Sequence, residues 1–199
     1  VTSDYIEITS YQHMKPYYKK SLLKIPDNWS FDHYYNVPLD EFMEIINHSL
    51  NEGYTVCWDG DVSSKGFSHA KGLAILPVEK LDDLNDTELS KWEDISKDEY
   101  KTNRYSFESP VPEINVTAEL REKKFNDYTT TDDHLMHLTG LYKDQNGTLY
   151  YKTKNSWAKS NNQGGFLYMS EAYLRMNSVA FMIHKDALSK GMKKKLGIK

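Results

Sequence analysis

Residues 133–166, DHLMHLTGLYKDQNGTLYYKTKNSWAKSNNQGGF, alternate apolar and polar side chains to Lys143, break at Asp144-Gln145-Asn146-Gly147, then resume in a second run. Alternation on both sides of a turn is the pattern of a β-hairpin. Strands are expected over 134–143 and 148–157, with His134 opening the first and Asn155-Ser156-Trp157 closing the second.

Side chains of a strand point alternately to its two faces, so His134, Met136, Leu138 and Gly140 share one face, and Asn155 and Trp157 share one on the partner. A four-residue loop at 144–147 sets Lys143 opposite Thr148, Met136 opposite Asn155 and His134 opposite Trp157. Asn155 is then the diagonal neighbour of His134, about 7–8 Å away on the same face. A tight Asn146-Gly147 turn would instead set Asn155 opposite Leu138, about 13 Å along the strand from His134. The longer loop is the one that lets the amide meet the imidazole.

Outside the hairpin, residues 4–11 read as a strand, and residues 15–36 as aromatic-rich and irregular, with Pro16 and Pro26 as breakers. Residues 38–51 are the clearest helix: Pro38 and acids open it, and Phe42, Ile45, Ile46 and Leu50 fall on one side. Gly53 ends it before a short apolar strand at 54–58. Residues 63–112 form an acidic excursion with short surface helices, the kind of long connection that is usually functional. A helix is expected within 114–125 on the signal of Thr117, strands at 165–170 and 178–184, and a helical turn at 171–176. Residues 186–199 read as a basic, mobile tail.

The length suits one domain, or one part of a larger one, and fifteen tyrosines in a 39% apolar chain favour half-buried strands over a helical bundle. The fold class expected is α+β. A net charge of −4 gives no general reason to bind nucleic acid, and one cysteine excludes an internal disulfide. No apolar run is long enough to span a bilayer, and residues 1–10 do not form a signal peptide. A start at Val1 in place of Met suggests an upstream segment.

Taken together, Asp133-His134, Gly140, Asn155-Ser156-Trp157 and Gly164-Gly165-Phe166 resemble the histidine and asparagine region of papain-like cysteine peptidases. Within that superfamily the chain is most similar to the bleomycin hydrolase and aminopeptidase C branch, over most of residues 36–188. The residues that carry this are YTVCWDGDV at 54–62, ELREKKFNDYTTTDDH at 119–134, the hairpin itself, and Tyr168-Met169-Ser170-Glu171. The resemblance implies a papain-like fold of which this chain is mainly the C-terminal, antiparallel-sheet part. It also implies an enzyme that cleaves peptides through a Cys-His-Asn mechanism without metal or cofactor, cytoplasmic and homo-oligomeric, hexameric in the family.

On that reading His134 is general base and then acid. Asn155 accepts a hydrogen bond from one ring nitrogen, so that the other faces the cleft and pairs with a thiolate. Trp157 covers the bond and keeps water from competing for it. The nucleophile is missing. Cys57 sits inside an apolar strand with no helix N-terminus to stabilise a thiolate, and reads as a buried structural cysteine. The family's thiol stands in a Gln-to-Cys-Trp context well before the histidine, so the resemblance implies an N-terminal half that supplies it, and a chain that is inactive alone. Two departures stand out: Ala158 replaces the glycine that usually follows Asn-Ser-Trp, and lysines 193–195 do not match the family's C-terminus, which threads into the cleft.

Rival readings are weaker. His134 and His137 point to opposite faces of a strand, which does not suit a metal pair, and His13, His33, His48, His69 and His184 lack ligand spacing. The alternative from another class is a non-catalytic papain-like domain that binds through its sheet or its excursion.

Overall fold

The computed structural model describes residues 2–26 and 28–199; Val1, on which the inference of an upstream segment rested, lies outside them. Among the described residues ten strands form one sheet: β1 (Tyr5–Thr9), β2 (Lys19–Leu22), β3 (His33–Asn36), β4 (Val56–Gly60), β5 (Phe67–Ser68), β6 (Leu73–Ala74), β7 (His134–Lys143), β8 (Leu149–Lys154), β9 (Phe166–Ser170) and β10 (Ser178–His184). Their order is β2-β3-β1-β10-β4-β7-β8-β9-β6-β5; β1/β3 and β6/β9 are parallel and the other neighbours antiparallel. The helices are α1 (Leu39–Asn51), α2 (Asp86–Leu89), α3 (Lys97–Asn103), α4 (Ala118–Asn126), α5 (Glu171–Asn177) and α6 (Lys190–Leu196). The class is α+β, and no helix among the described residues is long and apolar enough to cross a membrane.

Helix α1 packs Phe42, Met43, Ile45 and Ile46 into the main core, with Trp58, Met136, Leu138, Tyr151 and Phe181 from the sheet. Pro38 stands at its N-cap position, with Asp40 and Glu41 in the first turn, where acids suit the helix dipole. Thr117 caps α4 by accepting from the Leu120 amide at 3.2 Å, and Ser170 caps α5 through the Tyr173 amide at 3.1 Å. Arg121 of α4 is buried and donates to three backbone carbonyls, those of Ser10, Arg175 and Met176, at 3.0–3.1 Å. Its guanidinium lies over the rings of Tyr11 and Phe42, 4.6 and 5.5 Å from their centroids. One side chain thus locks α4, the end of β1 and the last turn of α5 together.

Several expectations are corrected. Residues 15–36 are not merely irregular: β2 and β3 pair there, and Lys20 lies 5.1 Å over the Tyr35 ring. Four-residue strands joined by a long connection, with β2 at the sheet edge, carry too few residues for a period of two to show in the sequence. The 63–112 excursion gives β5 and β6 to the sheet before its short helices pack a satellite core around Val78, Leu81 and Tyr100. The basic tail is an ordered helix, α6: Ser189 caps it, Gly197 stops it at φ 69°, and Met192 and Leu196, one turn apart, enter the main core while its lysines face outward.

The hairpin register also differs in detail. Lys143 pairs with Leu149, not Thr148, and this register runs down to Gly140/Lys152. A bulge at Thr139 then shifts it by one, so that Leu138 pairs with Thr153 and His137 with Lys154. The Thr139 hydroxyl donates to the Lys152 carbonyl at 3.1 Å. Because one extra residue reverses the side-chain alternation, the inner face of β7 passes from Met136 and Leu138 to Leu141, while β8 keeps Tyr151 and Thr153 inside throughout. Gly140 therefore does not share the inner face with His134.

Where β6 leaves the sheet, Glu113 accepts hydrogen bonds from the Leu76 amide and the Ser170 hydroxyl. Burial pushes its carboxyl up to about 7, against the lowering effect of those two bonds. The folded pKa lies above the ordinary glutamate value of 4.5, so this carboxyl's contribution to stability is complete below about pH 4.5 and is lost as pH rises through 7. Glu113→Gln keeps an oxygen to accept both bonds. Urea melts across pH 4–8 should show the wild type losing up to about 3 kcal/mol over this window, and the variant losing much less.

Candidate active site

His134 opens β7 on the inner face, and Asn155 follows the last residue of β8. The bulge sets β8 so that its end reaches back to the start of β7. The His134 Nε2 lies 2.8 Å from Asn155 Oδ1, and the Ser156 amide donates to the same oxygen at 2.7 Å. A backbone N–H can only donate, so the atom it points to is the carbonyl oxygen, and the orientation of the amide follows. With that oxygen as acceptor, His134 carries its proton on Nε2 in the neutral state. Asn155 is 2% exposed, and burial strengthens a bond that water would otherwise contest.

Trp157 lies beyond the end of the strand, which stops at Lys154 and does not run to 157. Its ring centroid is 5.0 Å from that of His134, tilted by 40°, and its indole is 44% exposed. The structure thus brings His134, Asn155 and Trp157 together.

The turn after Asn155 is held by Gly165. The Asn155 amide donates to the Gly165 carbonyl at 3.1 Å, and Asn161 Oδ1 accepts from the Gly165 amide at 2.8 Å. A Cβ on Gly165 would lie 2.0 Å from the Ala158 carbonyl oxygen, so the two chain segments approach as closely as backbone allows. Its φ of 83° is a second reason for glycine. On the other side, Asp61 Oδ1 accepts from Ser63, and Oδ2 accepts from the Thr131 amide at 2.8 Å. Asp133 Oδ1 accepts from the Val62 amide at 3.0 Å. The exit of β4 is thereby tied to the residues that lead into His134.

Cys57 is not brought to this site. It pairs with His137 across β4 and β7, on the face opposite to His134, whereas Gly60 is the residue opposite His134. It is half-buried, not fully buried as expected, and burial, with Asp59 and Glu7 nearby, holds its thiol above the usual range. That is the reverse of what activates a nucleophilic cysteine. His137 is bonded instead to the Thr55 hydroxyl at 2.6 Å.

One residue of the cluster was missed from sequence. His69, in the loop between β5 and β6, places Nδ1 3.3 Å from Asn155 Nδ2 and its Nε2 2.9 Å from the Ser160 hydroxyl. Trp157 stands edge-on to it at 5.1 Å, so the indole lies against both imidazoles. Burial, then the nearby charges of Lys154 and His134, hold its pKa below the ordinary histidine value. Nothing local marks His69 in the sequence: the sheet edge that carries it consists of two-residue strands.

A sequence model of the Peptidase C1-like family matches residues 90–198, more than half of the chain, which therefore belongs to that family and to the papain-like superfamily. No curated protein matches the sequence. Among solved structures, PepW from Lactobacillus rhamnosis HN001 is similar with a TM-score of 0.63 and 19% identity, a likeness of fold. The match covers 99% of this chain and 39% of PepW, so the chain spans about two fifths of that protein's length. The bromelain protease of Ananas comosus, solved with the E64 inhibitor, matches over 64% of this chain and 39% of its own, at 11% identity and a TM-score of 0.29.

Ala158, in the position usually held by glycine, adopts a φ of 55°. A side chain in this left-handed region costs about 1–2 kcal/mol. Ala158→Gly should therefore raise stability by about 1 kcal/mol, after allowing for glycine's greater freedom in the unfolded chain, read as a higher denaturant midpoint at unchanged slope. A lower midpoint would show that the turn is not strained.

Proposed function

We propose that this chain is the histidine- and asparagine-bearing part of a papain-like cysteine peptidase of the bleomycin hydrolase and aminopeptidase C type, acting on peptides. The observation that carries the proposal is the 2.8 Å bond from His134 Nε2 to Asn155 Oδ1 in a buried corner against Trp157. With the proton held on Nε2, the lone pair of the neutral ring is on Nδ1, the nitrogen available to a thiol.

The catalytic sequence then runs as follows. Nδ1 takes the thiol proton, and the imidazolium so formed stabilises the thiolate. The thiolate adds to the amide carbonyl, His134 returns the proton to the leaving amine, and an acyl-thioester remains. Water, deprotonated by the same nitrogen, adds to the thioester and releases the acid and the thiol. Asn155 holds the ring in place without adding a charge, and Trp157 covers the bond.

The thiol comes from outside this chain, because Cys57 faces the other way. An N-terminal segment with a Gln-to-Cys-Trp sequence is the partner the family supplies. The shallow groove formed by Asp132, Asp133, His134, Leu135 and Ser156, with Leu135 60% exposed at its rim, is the surface it would cover.

The test adds an N-terminal segment of the family that carries the Gln-to-Cys-Trp sequence, in cis or in trans, and follows an aminoacyl-coumarin substrate. The combined protein should be active; His134→Ala should lower kcat/KM by roughly 10²–10⁴-fold and Asn155→Ala by about tenfold. The chain alone should be inactive. A thiol-dependent rate from the chain alone that vanishes in Cys57→Ala, or full activity in His134→Ala, would overturn the proposal.

A further inference from the structure

We propose that His69 is a positioning residue for the His134–Asn155 pair, its Nδ1 lone pair holding the Asn155 amide so that Oδ1 stays turned towards His134. The inference rests on the reading of His134 as a base, but its test does not need activity. Every bond in the chain of contacts has one direction. Ser160 Oγ donates its only proton to the Trp157 carbonyl, at 2.6 Å. It is therefore an acceptor towards His69, and the proton between them sits on His69 Nε2. His69 Nδ1 then carries a lone pair, and it faces the Asn155 NH₂ group at 3.3 Å. The other end of the amide is fixed by the Ser156 N–H, and so by His134.

A wrong tautomer on His69 would set N–H against N–H₂, and the amide would have to swing away or turn over. A turned amide presents NH₂ to His134 Nε2, forces the ring proton onto Nδ1, and removes the lone pair that would take the thiol proton. His69 therefore acts through Asn155, two bonds away from the reacting atoms. Its backbone is held as well: Asn161 Nδ2 donates to the His69 carbonyl at 2.8 Å, and the same Asn161 side chain accepts from Gly165. The loop that carries His69 is thus fastened to the turn that carries Asn155. The residue lies before the stretch matched by the family model.

The test reads ring tautomers of the full chain from long-range ¹H–¹⁵N spectra at a pH where both histidines are neutral. In the wild type both His69 and His134 should be Nε2–H. His69→Phe keeps a ring against Trp157 but removes the acceptor; the ratio of Nε2–H to Nδ1–H on His134 should fall by up to about tenfold. His69→Gln, whose side-chain oxygen can accept from Asn155, should restore it. An unchanged His134 ratio in a folded His69→Phe protein overturns the proposal. So does an Nδ1–H tautomer on His69 in the wild type, a result that decides the matter even if the Phe variant does not fold. Failure of the peptidase reading would appear elsewhere, as an inactive combined protein with both tautomers as described.

Discussion

The Oδ1 atom of Asn155 accepts two N–H donors at once, one from the His134 ring and one from the backbone of the next residue. The second fixes the amide, and the fixed amide gives the first its direction. A carboxylate in the same place would also accept, but it would add a charge to a buried position. An amide orients without that cost, provided something keeps its two ends from exchanging. Burial, the Ser156 amide and His69 all act on that one requirement.

What brings the two groups within reach is the register of one hairpin. Strand geometry moves side chains in steps of about 3.3 Å and reverses their face at each step, so an error of one residue would turn Asn155 away from the core. The bulge at Thr139 supplies the single residue that matches the turn end of the hairpin to the end that carries His134 and Asn155. The neighbouring strand contributes by omission: Gly60, opposite His134, leaves room where a Cβ would lie 2.2 Å from the Asn177 carbonyl and 2.5 Å from the Trp58 ring. Gly165, after the hairpin, acts in the same way on the Asn155 turn.

Much of this could be read from the residues. The long strand β7, the helix α1 with its apolar side, and the Thr117 cap follow from periodicity and capping chemistry, which act over one or two turns of chain. The meeting of His134 with Asn155 followed from counting along the hairpin, although the count reached the right pairing through a wrong loop. Thr139 gives no sign of a bulge, because bulges answer to the packing of both faces and to the partner strand. The tail misled for a different reason: its lysines dominate the composition, while only Met192 and Leu196 decide whether it docks. His69 was out of reach, since its role depends on a sheet edge built from four residues and on a parallel pairing to β9.

The central claim is therefore geometric, and a nuclear Overhauser experiment on the labelled chain tests it directly. The account predicts contacts between the ring protons of His134 and Trp157, together with backbone contacts between Leu138 and Thr153. Backbone contacts from Leu138 to Asn155, with none between the two rings, would place the amide two residues too far along the ribbon and contradict it.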